Sequence, residues 1–168
     1  MDCEMPITVT SGYKRSKSYD VPYKLQEPVL PILEKWEKRG VIQRCEQGPY
    51  AAPLLVVSKK NGEYRPCVDY GDLNAVTVPY PYPLPRIDVI KQDIRGVVFS
   101  ALDLKDAFHQ VPVAEEERHK TAVRTPKGLY MFCMMPFGLK NAPSVFQYVA
   151  DVMLDGLRDC CVIYIDGL

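Results

Sequence analysis

The sequence carries no excess of either charge. Its 21 Lys and Arg balance 21 Asp and Glu, so no global basic field advertises a nucleic-acid partner. Histidine is scarce. His109 and His119 are the only two, too few for a histidine-based metal centre. Six cysteines are present, none in CxxC spacing, and Cys160 and Cys161 are adjacent. That pattern excludes a zinc ribbon and a disulfide framework, and it predicts buried free thiols in a reducing compartment. No apolar run approaches transmembrane length and the first residues lack a signal-peptide core, which predicts no membrane partner. What the chain does have is apolar content: 47% hydrophobic residues over 168 positions, enough for a real core in one domain or part of a larger one.

Periodicity orders the chain. Residues 1–25 are polar without a period and predict a linker or extended arm. Glu27 to Arg39 predicts an amphipathic helix with Val29, Leu30, Ile32, Leu33 and Trp36 on one side and Gly40 as its stop. Pro28 suits a first turn, whereas Pro31 is awkward unless the helix starts there. Two apolar runs, Leu54–Val57 and Tyr64–Val68, flank Lys60-Asn61-Gly62 and predict a β-hairpin with a lysine-rich tip. Four prolines in residues 78–86 impose an extended segment. A short helix is expected over Ile87–Ile94, strands over Val97–Leu102, Tyr130–Met134 and Cys160–Ile165, and a helix over Ala142–Leu157. The order of elements predicts an α+β layout.

Chemistry concentrates at a few positions. Asp103 and Asp166 each end a short apolar run. Two carboxylates on neighbouring strand ends make a hard, all-oxygen site of the kind Mg²⁺ prefers, and two-metal nucleotidyl transfer uses that arrangement. Each aspartate alone has an ordinary alternative: Asp103 caps the following turn, and Asp166-Gly167 makes a hairpin turn. Lys59, Lys60 and Arg65 can clamp a triphosphate by charge and bidentate hydrogen bonds, or form a solvated basic turn. Pro136-Phe137-Gly138 lets backbone approach a planar ligand, with Lys140 adding charge; the alternative is a plain entry into the next helix with Pro143 in its first turn. Phe108 lies five residues after Asp103, where it serves either the core or the edge of a nucleotide pocket. Tyr80 and Tyr82, with Arg86, either contact single-stranded nucleic acid or pack the proline segment onto the body.

Taken in order, these segments resemble the reverse transcriptases of gypsy-type LTR retrotransposons and retroviruses, from about Tyr19 to Leu168. Residues 49–76 resemble the family's fingers hairpin, 82–88 its fingers-to-palm junction, 99–113 (FSALDLKDAFHQVPV) motif A, 135–147 (MPFGLKNAPSVFQ) motif B, and 164–168 (YIDGL) motif C. The resemblance implies an α+β right hand: an N-terminal arm at 1–18, fingers at 19–82 and 111–143, and palm at 83–110 and 144–168, its antiparallel sheet backed by helices. It implies Asp103 and Asp166 as catalytic metal ligands for Mg²⁺, or Mn²⁺ in its place, with the Leu104 carbonyl as a further ligand. It also implies triphosphate contacts from Arg65 and one of Lys59 and Lys60, Phe108 as the sugar gate, and Phe137 and Gly138 as the nucleotide-pocket turn. The implied partners are dNTPs and an RNA or DNA template-primer. The rest of a Pol polyprotein, with thumb, connection and RNase H, is expected outside this sequence, and the implied setting is cytoplasm, virus-like particle or nucleus. Where the family writes two consecutive aspartates in motif C, this chain has Asp166-Gly167. A fragment inactive alone is one expectation; the alternative is a domesticated or decayed module that binds nucleic acid or protein without catalysis.

Overall fold

The β-hairpin forms where the sequence places it. The computed structural model describes residues 3–10, 12–13, 19–93, 98–157, 160–165 and 167. Strands β2 (Ala52–Ser58) and β3 (Tyr64–Val68) pair antiparallel from Leu54↔Val68 to Ser58↔Tyr64. Gly62 closes the tip at φ +81°, a conformation glycine adopts without strain, and Asn61 Oδ1 accepts the Glu63 amide. The hairpin extends a five-stranded sheet of order β1-β5-β4-β2-β3, with β1 at Ile42–Arg44, β4 at Val123–Thr125 and β5 at Gly128–Phe132. The β2–β4 pair is parallel and the others are antiparallel. With helices α1 (Tyr23–Lys38), α2 (Gly71–Val76), α3 (Ile87–Asp93) and α4 (Ala142–Met153), this is an α+β fold.

Helix α1 begins earlier than its sequence signal, and both Pro28 and Pro31 lie inside it. Each proline removes one intrahelical donor. The carbonyls left over belong to Lys24 and Glu27, both exposed, where solvent can donate instead. The compensation is apolar: Val29 and Leu33 are buried against Ile42, Leu54, Val123, Tyr130 and Phe132.

The N-terminal segment departs from the expected loose arm. It is extended, but Met5 and Ile7 are only 1% exposed and belong to the main core with Tyr70, Leu73, Val113 and Met135. Met5 pairs in parallel with Val113, and Val9 pairs antiparallel with Thr77. Lys120 Nζ donates to the Ile7 carbonyl at 2.7 Å. The alternation Met5-x-Ile7-x-Val9 is a period-two pattern hidden in a polar stretch.

Two expected strands do not form. Residues 98–102 have no regular structure, with Val98, Phe99 and Leu102 exposed, and residue 97 lies outside the described set. Residues 160–163 likewise have no ladder. A strand needs a partner for its N–H and C=O groups. Among the described residues these segments find only the single-residue bridges Asp103↔Gly167 and Tyr164↔Gly167. The shorter runs also end sooner than their patterns: β5 stops at Phe132 and α4 at Met153. All six cysteines are free, as expected, but none is fully buried and Cys160 is exposed. The proline segment packs on the body: Tyr82 Oη donates to Asp151 at 2.6 Å and its ring meets Tyr148 edge-on. Among the described residues no helix is long and apolar enough to cross a membrane.

Candidate functional site

A stack of rings and one guanidinium joins three of the segments singled out by sequence. Arg65, on the return strand β3, lies 4.7 Å over the Phe137 ring. Phe137 meets Phe108 at 4.8 Å between centroids, and Phe108 meets Phe146 of α4 at 5.5 Å. Phe108 stands in the helical turn Ala107–Gln110 and is only 8% exposed. Phe137 is half-buried, so the stack runs from the core to an exposed cation. Cation–π contact at such a position contributes about 0.5–1 kcal/mol.

The turn beside Phe137 is held from below. Gly138 takes φ +93°, and a Cβ there would meet the Val68 carbonyl at 3.2 Å. Both facts favour glycine. Asn74 donates to the Gly138 carbonyl and accepts the Lys140 amide, each at 2.8 Å. Lys140 Nζ donates to the Thr77 carbonyl at 2.9 Å, so its charge is tied to the start of the proline segment. At the hairpin tip Lys59 pairs with Glu63 at 3.0 Å. Lys60 is exposed and has no ion-pair partner among the described residues. Arg65, Phe108, Phe137 and Gly138 are thus assembled together, while Lys59 and Lys140 are engaged locally.

Asp103 and Leu104 are both exposed. Among the described residues nothing bonds to the Asp103 carboxylate. Its backbone bridges antiparallel to Gly167. Asp166 lies outside the described residues. Among those described, no three His, Cys, Asp or Glu side chains gather as a metal cluster.

Gln147 is the site-supporting residue that sequence reasoning passed over. It is 1% exposed within α4, yet its amide is fully used. Oε1 accepts the Ile165 amide at 2.8 Å, and Nε2 donates to the Ile163 carbonyl and to Asp151, both at 3.2 Å. These bonds fasten the segment leading to Asp166 onto α4. The signal was available: a long polar residue in the apolar stripe of Val145, Phe146 and Ala150 requires buried partners.

His109 was likewise missed as more than a scarce residue. It is buried beside Phe108, edge-on to Trp36 at 5.3 Å and to Phe137 at 5.6 Å. Among the described residues its Nδ1 has no hydrogen-bond partner. Burial pushes its pKa below the ordinary 6.5; Asp106 opposes that shift, while Arg39 and Arg65 reinforce it. Protons therefore bind the unfolded chain more readily than the folded one below pH 6.5. Stability is fully present above that pH and falls as pH drops toward the depressed folded value. Asp106, Glu34 and Glu63, lowered from 3.8, 4.5 and 4.5, act only in more acid solution. Denaturant titrations at about pH 7.5 and 5.5 should show reduced stability at the lower pH. His109→Phe should flatten that difference, and an unchanged slope would assign it elsewhere.

Comparison with known proteins places this arrangement. The sequence pattern of the family described as "Reverse transcriptase (RNA-dependent DNA polymerase)" matches residues 57–168. The chain belongs to the reverse transcriptase family. Within that family it resembles the Pol polyproteins of two Drosophila melanogaster transposons. It is 39% identical to that of gypsy over 96% of this chain and 38% identical to that of opus over 91%. It spans 16% of the length of each. The Tf2-3 polyprotein of Schizosaccharomyces pombe is 32% identical over 100% of this chain and 13% of its own length. These relatives make it a reverse transcriptase segment of the LTR-retrotransposon group. In solved structures, the foamy viral protease-reverse transcriptase in complex with RNA/DNA hybrid superposes with a TM-score of 0.82 at 19% identity, over 96% of this chain and 22% of that one. The native prototype foamy virus enzyme gives 0.82 at 22% identity, with the same coverages. At these identities the likeness establishes the fold: polymerase fingers and palm.

Proposed function

We propose that this chain supplies the fingers and palm face on which a reverse transcriptase binds an incoming dNTP and joins it to a primer 3′-hydroxyl on an RNA or DNA template. The observation that carries the reading is the bridge between Asp103 and Gly167, which sets motif A beside the residue that follows Asp166. The donors fit a hard divalent ion. Asp103 offers an exposed carboxylate that nothing among the described residues claims, and Leu104 adds a carbonyl. Asp103, Asp166 and the Leu104 carbonyl would hold Mg²⁺, or Mn²⁺ in its place. When bound, such ions neutralise charge on the attacking and leaving oxygens of phosphoryl transfer.

The remaining residues bind and orient. Arg65, seated over Phe137, presents donors to the triphosphate, as a planar fork suits phosphate oxygens. Lys60, and Lys59 if released from Glu63, add charge at the tip. Phe137 and Gly138 line the base and sugar, with Lys140 stiffening the turn, and Phe108 limits space for a 2′-hydroxyl. The fingers comprise about 19–82 and 111–143 and the palm 83–110 and 144–168, with Met5 and Ile7 packed into the core rather than lying in a free arm. Thumb and RNase H belong to the remainder of a Pol polyprotein, acting inside the cell. Gly167, standing where the family writes a second aspartate, favours a second reading: a module that keeps the fold and binds nucleic acid or protein without catalysis.

A chimaera separates the two. This chain replaces its counterpart in the gypsy Pol polyprotein, and primer extension is measured with Mg²⁺ and Mn²⁺. Metal-dependent extension is expected, reduced about 10³-fold or more by Asp103→Asn, a loss of about 4 kcal/mol in transition-state stabilisation. Gly167→Asp should raise the rate by adding a carboxylate beside the ions. If the chimaera and its Gly167→Asp form are both inert while the gypsy parent is active, the non-catalytic reading prevails.

A further inference from the structure

The chain leaves α4 through Gly156, at φ +90°, and folds back on itself. The Leu157 carbonyl then accepts two successive amides, Cys160 at 3.0 Å and Cys161 at 2.9 Å. It also accepts the Cys160 thiol at 3.3 Å. Gathering both residues on one carbonyl brings their thiols together, with Sγ to Sγ at 3.8 Å. In a strand, neighbouring side chains point to opposite faces. The strand expected over these residues would have parted the thiols; the turn that replaces it joins them. Cys160 is exposed and Cys161 half-buried. No other pair of sulfurs is in contact among the described residues. The Cys161 thiol is pushed above its ordinary pKa, first by its hydrogen bond with Cys160, then by burial and by repulsion from Cys160.

We propose that Cys160 and Cys161 form a vicinal dithiol clamp, a modification site for thiophilic centres that accept two sulfurs, trivalent arsenicals in particular. The separation suits the chemistry. Arsenic(III) is pyramidal, and two sulfurs at about 2.3 Å from it, the length of a zinc–thiolate bond, subtending roughly 100° stand about 3.5 Å apart, a small closure from the 3.8 Å between these thiols. The reaction is a condensation without electron transfer. An arsenic(III) oxide loses its As–O bonds, two As–S bonds form, and the oxygen leaves as water with the two thiol protons. A reducing compartment does not prevent this, because neither sulfur is oxidised. Ring closure would lock Cys160 and Cys161 at the Leu157 carbonyl, immediately before the Ile163 and Ile165 backbone that Gln147 holds.

The test uses the full 168-residue chain with equimolar phenylarsine oxide and intact-mass measurement. One adduct per chain is expected, with the mass of the arsenical less one water. It should survive excess monothiol and be removed by 2,3-dimercaptopropanol, the behaviour of a two-sulfur chelate. Cys160→Ser and Cys161→Ser should each lose the monothiol-resistant adduct, whereas Cys133→Ser should keep it. Circular dichroism of each variant checks that the fold is retained, and little disturbance is expected at the exposed Cys160. A resistant adduct persisting in Cys160→Ser, or a parent adduct stripped by monothiol, would overturn the assignment.

Discussion

Replacing Gln147 with leucine is expected to release residues 163–165 from α4 while the helix itself stays folded. The substitution keeps a buried apolar volume but deletes the partner of two backbone groups, the Ile165 N–H and the Ile163 C=O. Leaving a buried polar group unpaired costs about 1–3 kcal/mol, so the local loss over two groups is about 2–6 kcal/mol. Ile165 magnifies it. This β-branched residue is held at φ +56°, a strained conformation that persists only where surroundings over-determine it. Without Gln147 the backbone relaxes to negative φ. Amide hydrogen exchange reads the effect directly: Ile165 should exchange about 30-fold faster or more, each 1.4 kcal/mol of lost protection being tenfold. Amides of Val149 and Ala150 should change little. Equal exchange at Ile165 in both proteins would show that the segment is held by something other than this side chain.

The second large effect is expected at Phe108. Its ring lies between Phe137 and Phe146, almost wholly buried. Phe108→Ala should destabilise the chain by about 3–5 kcal/mol, the range for large-to-small changes in a packed aromatic site. It also removes the surface on which Phe137 rests, and with it the plane that holds Arg65. Phe108→Val retains more of the packing and is the better probe of selectivity. In the gypsy chimaera, Phe108→Val should raise incorporation of ribonucleotides relative to dNTPs by about 10–100-fold, the scale of discrimination that a change in pocket volume supports. Urea denaturation measures the first effect and competitive primer extension the second. Loss of stability with an unaltered sugar preference would leave Phe108 as core alone and reject its role as gate.

Much of the fold was legible because its signals are local. Asn61-Gly62 between two apolar runs predicts a hairpin, and the structure has it, closed by the three residues Lys60, Asn61 and Gly62. The apolar faces of α1 and α4 follow from helical spacing, and the proline segment could be nothing but extended. What failed were strands whose evidence was apolar content alone. Residues 98–102 and 160–163 are hydrophobic enough, but hydrophobicity supplies no hydrogen-bonding neighbour, and pairing depends on what lies alongside. The N-terminal bridges were missed for the opposite reason: only Met5, Ile7 and Val9 alternate, among polar residues, and their partners Val113 and Thr77 are far away in sequence. Phe108, Phe137 and Arg65 were each singled out separately, but their stacking is a tertiary fact that no spacing rule contains. Gln147 was readable in principle, since a buried amide in an apolar stripe demands partners, yet its partners lie in a segment taken for an ordinary strand.

The order of strands in the sheet also governs how the chain can reach its native state. β2 and β3 form a hairpin that can close within microseconds, as local pairings do. The inner edge of β2, however, pairs in parallel with β4 through Ala52↔Val123, and β1 reaches the sheet only through β5, Ile42 facing Phe132. Until residues 123–132 have been synthesised, β1 has no partner and β2 keeps an open edge. Such an edge invites pairing with another chain. Non-local pairings of this kind slow folding because loop closure precedes the contacts that reward it. A nascent chain therefore passes through an interval in which an apolar strand of the fingers is exposed, and aggregation during synthesis, rather than instability of the finished fold, is the hazard this topology carries.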